Sequence, residues 1–523
     1  MRSISILNQV LGPVMRGPSS SHTAGPLHLG LLAGALLGGR TARARLTFDR
    51  EGSFGRVFRE QNSDKGFAAG LLGWEILDPR FPEVLGHAAG EGLSLEFALE
   101  PLAGWGEAAD HPNAVRLELE SREGRTLDLM ARSIGGGAVE ILLLNGLPVH
   151  LSGDAFEVLA LVRKDSLREA GGIMGRDGLL LNRTETPGPE GRVLVRARRS
   201  SALAGPELAG LRELAGPEAV WTAPPIHYVQ KGSPLFDSSK AAAALARERG
   251  FSLGRLGLAH EAALLGLGEE EILAEMGRRL TVMEDSVERG LKMEGPPLGL
   301  MRPVAGKIMA AERSGNLALG GITARAGARA MAVMHETARA GVVCATPTGG
   351  SAGVLPGTVV SLIQDRGVSP ERAVRALLAA GAVGVIMASR STFAAEVAGC
   401  QVEIGIAQGM AAAAVVETVG GSARQALDAA AIGLQNSIGS VCDPVQGLVE
   451  IPCHTRNAAA AASAFLLADL ILGGYANPIP LDESIDAAAQ VGELMPSSLR
   501  CTALGGLAAC PSAKKMRRLD RKD

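Results

Sequence analysis

The chain has 523 residues, more than one ordinary hydrophobic core accommodates, so two or three domains are expected. Hydrophobic residues make up 46% of it and charged residues 20%, values typical of soluble globular proteins. The net charge of −3 excludes a strongly basic protein, and nothing in it indicates a nucleic-acid surface or an anionic membrane target.

The sequence predicts a cytoplasmic protein that does not enter a membrane. The first 22 residues contain no apolar core long enough for a signal peptide. The most apolar later stretch, AFLLADLILGGYA, is interrupted by Asp469 and is shorter than the roughly 20 residues that a span needs. In the cytoplasm the six cysteines are expected to be free, metal-bound or catalytic rather than paired.

Residues 1–154 are predicted to form an α/β domain. The runs 42–48 and 115–120 alternate apolar with polar or charged side chains, which is the pattern of half-buried strands. The stretch DKGFAAGLLGWEI between them has helical character. In SIGGGAVEILLLNG a glycine turn precedes a further strand.

Residues 155–222 are predicted to form a small α+β module. The elements follow the order strand, helix, strand, strand, helix, strand, which is the ferredoxin-like pattern. This order resembles an ACT module, a small regulatory domain that often binds amino acids. A linking subdomain without a ligand fits the same pattern.

The remainder is predicted to be a linker, 223–239, followed by an all-α domain, 240–523. Proline and serine are frequent in the linker. Beyond it, apolar residues recur at spacings of four and three along one long helix. They are Ile272, Met276, Leu280, Met283, Val287 and Leu291. Three central cysteines are expected at helix ends and in loops of this domain.

Three loops have the composition of anion-binding sites. In GPSSSHTAGP, just before a predicted helix, the polar residues are Ser19, Ser20, Ser21, His22 and Thr23. Hydroxyls and backbone N–H groups at a helix N-terminus suit a carboxylate or a phosphate, although helix capping alone explains the same cluster. The glycine-rich stretches SIGGGAVEI and CATPTGGSAGVLPG are similar but weaker signals.

The cysteines Cys400, Cys442 and Cys453 match no zinc-finger or disulfide spacing. By residue type alone, buried small apolar side chains are the simplest interpretation. A structural zinc site is disfavoured because His454, directly beside Cys453, cannot easily bind the same ion.

Seven motifs in order give a more specific indication than any single one. They are GPVMRGPSSSHTAGP, HPNAVRLEL, SIGGGAVEI, ATPTGGSAGVLPG, EVAGCQVEIG, SVCDPVQGLVEIPC and LRCTALGGLAACPSA. This series resembles the iron–sulfur-dependent L-serine dehydratases, with their β and α parts fused in one chain. The resemblance covers nearly the whole sequence and is weakest across 155–235.

The resemblance implies a lyase that converts L-serine into pyruvate and ammonia without pyridoxal phosphate. Cys400, Cys442 and Cys453 would carry a [4Fe–4S] cluster whose remaining iron acts as a Lewis acid for the β-hydroxyl. Some family members place a tail cysteine on that iron. Cys510 is the candidate here, ahead of Cys501, although it does not end the chain.

The resemblance also implies roles for polar residues. The serine-rich loop would bind the substrate carboxylate, and His22 and Asp64 are the candidate catalytic residues. Further substrate contacts are expected from Gly135, Gly136, Gly137, Asn316, Thr348, Gly349 and Gly350. Where the family carries a histidine before the LLG segment, this chain has Gln61, which cannot act as a base near neutral pH.

Several alternatives remain open at this point. A cysteine desulfidase would eliminate sulfide on a related α-type scaffold, and a non-catalytic iron–sulfur sensor would use the cluster without turnover. A fused chain that has lost activity is a third alternative, because of Gln61. The expected partner is the small-molecule substrate, with no nucleic acid and no membrane, and the chain length is compatible with a homodimer.

Overall fold

The computed structural model describes residues 3–519. Residues 1–2 of the predicted α/β domain and residues 520–523 of the predicted helical domain lie outside the described range. The strands are β1 Val14–Arg16, β2 Thr41–Asp49, β3 Ser94–Glu100, β4 Ala114–Ser121, β5 Thr126–Gly135, β6 Ala138–Leu144, β7 Leu147–Leu151, β8 Phe156–Arg163, β9 Leu180–Pro187, β10 Arg192–Arg199, β11 Val220–Ala223 and β12 Val342–Cys344.

The α-helices that accompany these strands are α1 Gly25–Leu37, α2 Ser53–Val57, α3 Ser63–Leu71, α4 Val84–Gly90, α5 Leu167–Gly175, α6 Gly205–Ala215, α7 Ser239–Arg249, α8 Leu253–Leu265, α9 Glu269–Leu291, α10 Ala305–Arg313, α11 Gly321–Ala338, α12 Val354–Arg366, α13 Pro370–Arg390, α14 Ala395–Ala398, α15 Ile404–Thr418, α16 Ala423–Gln435, α17 Cys453–Leu472, α18 Leu481–Leu494 and α19 Pro511–Lys515.

The N-terminal part is built on a six-stranded sheet with the strand order β3-β2-β4-β5-β6-β7. β2 and β3 run parallel, and the other neighbours are antiparallel. Leu46, Leu117 and Leu129 lie side by side on the inner face and are fully buried in one core with side chains of α1 and α3. The alternation that predicted strands at 42–48 and 115–120 is confirmed.

The middle part is a four-stranded antiparallel sheet with the order β11-β8-β10-β9. α5 and α6 pack on one face of this sheet. From the sheet Leu159, Leu194 and Trp221 join the hydrophobic core of the N-terminal part. The predicted ferredoxin-like order of elements is confirmed, whereas the more specific ACT-like assignment stays a prediction.

After β11 the chain is helical apart from the short strand β12. Of the six residues of the stripe predicted for the long helix, five are buried on α9, namely Ile272, Met276, Leu280, Met283 and Val287, and Leu291 at its end is half-buried. Burying each such side chain stabilises the fold by about 1.5–3 kcal/mol. The expected fold class, a sheet-rich N-terminal part and a helical C-terminal part, is therefore confirmed.

The first described residues pack inside the helical part. Ile6 and Val10 are fully buried against α13, where Gly381 and Gly384 leave room for them because a Cβ at either glycine would clash. The carboxylate of Glu261 in α8 accepts a hydrogen bond from the backbone N–H of Ile6 at 2.7 Å. β1 then pairs antiparallel with β12. This anchor holds the serine-rich loop, which follows directly, against the helical part.

Two helices, α13 and α17, are long and apolar enough to cross a membrane by length and composition alone. Within the windows concerned, 83% of α13 and 44% of α17 is buried inside the protein. Core helices of soluble proteins satisfy the same criteria, so this feature is weak support for a membrane span.

Candidate active site

Four cysteine side chains converge in the helical part. Cys400 lies in the turn after α14, Cys442 in the loop between α16 and α17, and Cys453 at the first position of α17. The thiol of Cys442 is hydrogen-bonded to those of Cys400 and Cys501, and Cys453 interacts electrostatically with Cys400 and Cys501. The Sγ atoms of Cys400 and Cys442 and a carboxylate oxygen of Glu403 lie within 4.8 Å of one another.

The thiols are held in a buried and charged environment. The guanidinium of Arg456 donates to Sγ of Cys400 at 3.6 Å and pairs with Asp443 at 3.0 Å. The hydrogen bond from Cys442 and the charge of Arg456 lower the pKa of Cys400. Conversely, the hydrogen bond to Cys400 and burial raise the pKa of Cys442 well above its usual range, and burial does the same for Cys453.

The two C-terminal cysteines occupy different environments. Cys501 is 6% exposed and its sulfur contacts the thiol of Cys442. Cys510 is exposed, and its thiol donates a hydrogen bond to the carbonyl of Gly506 at 3.8 Å. Of the two, Cys501 is therefore the one beside the other thiols, and the role of either as a cluster ligand stays a prediction. Because both follow α18 within ten residues of each other, no spacing rule could separate them.

The serine-rich loop forms one wide helical turn, Ser20–Ala24, that runs directly into α1. Its polar side chains are all buried, and the Ser19 hydroxyl accepts the backbone N–H of His22 at 3.1 Å. The Ser20 hydroxyl accepts the backbone N–H of Gly349 at 3.1 Å. A Cβ at Gly349 would lie 2.8 Å from the backbone nitrogen of Ser20, so glycine is needed for this approach. Two of the three predicted anion loops are thus in direct contact.

A buried carboxylate links this loop to the cysteine-bearing segment. Oε1 of Glu396 lies 3.1 Å from Nδ1 of His22 and accepts the hydroxyl of Ser21 at 2.5 Å. Burial alone would raise the pKa of Glu396, but the hydrogen bonds from His22 and Ser21 lower it to about 2. The carboxylate is therefore ionised, and its Oε2 has no hydrogen-bond partner among the described residues.

His22 also connects to the fourth cysteine. Its Nε2 lies 3.2 Å from the hydroxyl of Ser53, and that hydroxyl donates to the backbone carbonyl of Cys501 at 2.8 Å. A continuous chain of hydrogen-bonding groups therefore runs from Glu396 through His22 and Ser53 to Cys501.

The third anion loop reaches the thiols through a carboxyl group. The hydroxyl of Thr348 hydrogen-bonds to Glu403, and a Cβ at Gly350 would lie 3.3 Å from Oε2 of Glu403. Burial, together with Cys400 and Glu396 nearby, raises the pKa of Glu403 well above its usual range. Thr348 and Gly350 therefore lie beside Glu403, which is close to the thiols of Cys400 and Cys442, and their role as substrate contacts stays a prediction.

The triglycine turn packs against the chain segment that leads to Glu396 rather than against the cysteines. Gly135, Gly136 and Gly137 have φ values of +97°, +62° and +83°, which favour glycine. A Cβ at Gly135 would lie 2.7 Å from the backbone nitrogen of Ala394, in the segment that leads to Glu396. The turn thus supports the position of Glu396.

Gln61 lies at the site, as the family resemblance implies for this position. Its side-chain amide donates to the carbonyl of Gly447 at 3.2 Å and to Sγ of Cys501 at 3.5 Å. Its backbone carbonyl accepts the hydroxyl of Thr23 at 2.9 Å. Gln61 therefore connects the serine-rich loop to the fourth cysteine.

Two predicted site residues lie apart from the thiols. Asp64 is buried at the start of α3 and accepts the backbone N–H of Lys65 at 2.8 Å, and burial raises its pKa. Asn316 is exposed between α10 and α11 and contacts the carbonyl of Ala311 through its backbone N–H. Within residues 3–519 no hydrogen bond or ion pair joins either side chain to the cysteines.

A cavity of about 240 Å³ opens at the site and is lined by Glu396, Ser53, His111 and Arg500, among others. Burial lowers the pKa of His111 to about 4, so this imidazole is neutral at pH 7. Its Nδ1 accepts the backbone N–H of Asn113 at 3.1 Å, which places its proton on Nε2. Two of its lining residues, Glu396 and Ser53, contact His22 of the serine-rich loop. A larger cavity of about 810 Å³, between α7, α16 and α18, contains none of the predicted site residues.

Several of these residues were not singled out from the sequence. Glu396 and Glu403 flank Cys400 in the motif EVAGCQVEIG, four residues before and three after it, so proximity to a cysteine was an available signal. His111 opens the motif HPNAVRLEL. Ser53 carries no motif, and only the fold places it here.

Comparison with known proteins identifies the family. The family model described as serine dehydratase alpha chain matches residues 155–508. The chain is 40% identical over 282 residues to the probable L-serine dehydratase alpha chain of Bacillus subtilis (strain 168), covering 54% of this chain and 94% of that one. It is 36% identical over 272 residues to the L-serine dehydratase alpha chain of Peptoniphilus asaccharolyticus, covering 52% and 93%.

A longer relative aligns less completely. The L-serine dehydratase TdcG of Escherichia coli (strain K12) is 33% identical over 291 residues, covering 54% of this chain and 63% of that one. The family match extends over more than half of the present chain and begins directly after the six-stranded sheet. The protein therefore belongs to the serine dehydratase alpha chain family, a family of lyases, and carries its alpha-chain region fused behind a sheet-rich part in a single chain.

Proposed function

We propose that this protein is an iron–sulfur L-serine dehydratase, which converts L-serine into pyruvate and ammonia. The observation that carries the proposal is the convergence of four thiols, three of them buried and that of Cys453 half-buried, with a hydroxyl-rich loop and an ionised, buried carboxylate. The names of the relatives support the substrate, since each is an L-serine dehydratase or one of its alpha chains.

The donor set fits an iron–sulfur cluster. Thiolates are the usual ligands of cluster iron and come from separate segments here, as Cys400, Cys442 and Cys453 do. A coordinating thiol is deprotonated, so bound iron would reverse the raised pKa values of Cys442 and Cys453. When bound, a [4Fe–4S] cluster with a substrate-accessible iron would supply a Lewis acid for the departing β-hydroxyl.

The serine-rich loop is suited to bind the substrate carboxylate. The hydroxyls of Ser19, Ser20, Ser21 and Thr23 lie at the start of α1, where the backbone N–H groups add positive potential. Gly349 keeps the neighbouring turn close to this loop, and Thr348 extends the polar surface to Glu403. The carboxylate would thus be held between the loop and the cysteines.

We assign removal of the α-proton to His22. Glu396 accepts the proton on Nδ1 and orients the ring. Nε2 takes up a proton in the arrangement in which it is unprotonated and the Ser53 hydroxyl, 3.2 Å away, turns toward it from the carbonyl of Cys501. Oε2 of Glu396, which has no hydrogen-bond partner among the described residues, can accept a hydrogen bond from the ammonium group of the substrate. His111 is a poorer base, because its Nδ1 already accepts a hydrogen bond and its Nε2 carries the proton. Gln61 is a donor and cannot act as the base.

The test uses anaerobically purified protein without added pyridoxal phosphate. We expect a brown protein with about four irons per chain that releases pyruvate from L-serine. Cys442→Ala should lose colour, iron and turnover, whereas the matched control Cys510→Ala, at the exposed cysteine, should keep all three. A colourless wild-type protein after anaerobic reconstitution would refute the cluster, and a brown protein inert toward L-serine would refute the substrate.

Other expectations stay predictions. Amino-acid binding by the ferredoxin-like module, a homodimer and a cytoplasmic location are each testable. Isothermal titration with L-serine would test the first and sedimentation would test the second. The domain boundaries at 154, 222 and 239 can be tested by limited proteolysis.

A further inference from the structure

We propose that the hydroxyl of Ser53 relays the α-proton of the substrate to Nε2 of His22, so that the base acts through Ser53 rather than by direct contact. This proposal rests on the proposed function, since it presupposes an amino-acid substrate whose α-proton is removed at this site. It adds a catalytic residue that belongs to none of the seven sequence motifs.

Both ring nitrogens of His22 are occupied by neighbouring side chains. Nδ1 lies 3.1 Å from Oε1 of Glu396, and Nε2 lies 3.2 Å from the hydroxyl of Ser53. The imidazole is fully buried, and the described residues that line the cavity of about 240 Å³ include Ser53 and Glu396 but not His22. A proton that leaves a molecule in this cavity therefore reaches Nε2 by way of Ser53.

The Ser53 hydroxyl can pair with His22 in both protonation states of the imidazole. Its single proton has two acceptors within reach, Nε2 of His22 at 3.2 Å and the backbone carbonyl of Cys501 at 2.8 Å. When Nε2 is unprotonated, the hydroxyl donates to it. When Nε2 carries a proton, this nitrogen donates to the serine oxygen, and the hydroxyl donates to the carbonyl. Rotation of one hydroxyl thus keeps the buried polar groups paired in both states.

The relay begins in the first of these arrangements and ends in the second. As the Cα–H bond breaks, its proton bonds to Oγ of Ser53, and the original hydroxyl proton bonds to Nε2 of His22, which is within hydrogen-bond reach. The electron pair of the Cα–H bond forms the Cα=Cβ double bond as the β-hydroxyl leaves as hydroxide. Because the serine oxygen gains one proton while it loses another, it does not carry a full negative charge.

The fold holds Ser53 in the position that this step requires. Ser53 begins the short helix α2, and the backbone N–H of the next residue, Phe54, donates to the carbonyl of Pro112 at 3.2 Å. A Cβ at Gly52 would lie 2.6 Å from the same carbonyl oxygen, so glycine is needed for this approach. The buried ring of Phe54 packs edge-on against the imidazole of His22, with 5.1 Å between the ring centres. Backbone and side-chain packing therefore both fix Ser53 beside His22.

Glu396 brings the substrate to this hydroxyl. Its Oε2 has no hydrogen-bond partner among the described residues, and its side chain lines the same cavity as Ser53. In an amino acid the ammonium group and the α-hydrogen are bonded to the same carbon. An ammonium group held by Oε2 thus places the α-hydrogen in the cavity that Ser53 borders.

The experiment combines isotope effects with variants of Ser53 in the iron-loaded protein. Wild type, Ser53→Ala, Ser53→Thr and Ser239→Ala are reconstituted anaerobically, and kcat and KM are measured with L-serine and L-[2-²H]serine in H₂O and in D₂O. Iron content reports the cluster, and circular dichroism reports folding. Ser239 is the matched control, because it is also a buried serine at the first position of a helix and lines the larger cavity, away from the predicted site residues.

We expect Ser53→Ala to lower kcat by about 10²-fold, with KM within about twofold of wild type and an unchanged iron content. Ser53→Thr keeps the hydroxyl and should lose much less. The isotope effect of L-[2-²H]serine should be larger in Ser53→Ala than in wild type, because proton removal becomes slower. In wild type, D₂O should slow L-[2-²H]serine at least as much as L-serine, since the hydroxyl proton moves in the step that breaks the Cα–H bond.

Two results with the folded, iron-loaded variants overturn the relay. One is a kcat for Ser53→Ala equal to that of Ser239→Ala, and the other is an equal loss in Ser53→Ala and Ser53→Thr, which assigns the loss to packing. If Ser53→Ala does not fold, a solvent isotope effect in wild type that disappears with L-[2-²H]serine overturns it. An iron-loaded wild type that makes no pyruvate from L-serine refutes the proposed function instead.

Discussion

Nδ1 of His22 lies 3.1 Å from Oε1 of Glu396, and both side chains are buried. This contact joins the loop before α1, in the sheet-rich part, to the segment that leads into Cys400 in the helical part. The proposed base and its orienting carboxylate therefore come from opposite parts of the fused chain. Neither part alone contains the pair.

Glu396→Gln tests the proposed role of this pair. The amide cannot hold the proton of Nδ1 as an ionised carboxylate does, so we expect kcat to fall by about 10²-fold or more. Iron content should stay at the wild-type level, because Glu396 is not among the four convergent thiols. The control is Glu493→Gln, at an exposed acid on α18. A kcat equal to that of the control would remove Glu396 from the mechanism.

Gly349→Ala tests the contact between two of the anion loops. The added Cβ would lie 2.8 Å from the backbone nitrogen of Ser20, so the turn has to move away from the serine-rich loop. We expect kcat/KM for L-serine to fall by about 10²-fold, since a displacement of this kind misplaces the substrate. Gly268→Ala is the matched control, because a Cβ there meets open space. Equal kinetic constants for both variants would contradict the role of this contact.

The buried imidazole of His227 is expected to make the free energy of unfolding depend on pH. Burial lowers the pKa of His227 from 6.5 to about 3. Between these values the unfolded chain binds a proton that the folded protein does not, so acid favours unfolding. The free energy of unfolding should therefore fall as the pH drops from 6.5 toward 3, by about 1.4 kcal/mol per pH unit for this group.

His227→Gln should remove this contribution. Urea unfolding of cluster-free protein at pH 7, 6 and 5 would show a shallower loss of stability than in wild type. His150→Gln is the control, because that side chain is 60% exposed. Parallel curves for wild type and His227→Gln would show that the imidazole is not buried in its neutral form.

Substrate preference separates the proposed dehydratase from a cysteine desulfidase. We expect kcat/KM for pyruvate formation to be higher with L-serine than with L-cysteine, because a soft substrate thiolate binds iron strongly and leaves it slowly. Pyruvate from both amino acids and sulfide from L-cysteine would be measured on the same preparation. Faster release of sulfide than of pyruvate from serine would support the desulfidase alternative.

Much of the fold could be predicted from the local pattern of apolar and polar residues in the sequence. The alternation in 42–48 and 115–120 predicted two strands, and the stripe on α9 predicted which side chains are buried. The placement of the central cysteines at helix ends and in loops was also predicted correctly. These features depend on the period of a strand or a helix, which a short window contains.

By itself, the sequence determined the order of elements, the α9 stripe, the serine-rich loop and the cysteines named from the motif series. Only the tertiary structure decided that Cys501 rather than Cys510 joins the thiols, that Glu396 contacts His22, and that the N-terminal segment packs within the helical part. The physical reason is the sequence distance over which each feature is set. Local periodicity follows from backbone geometry within one helix or strand. Contacts between distant segments depend on how whole helices and sheets pack and on which buried polar groups they satisfy.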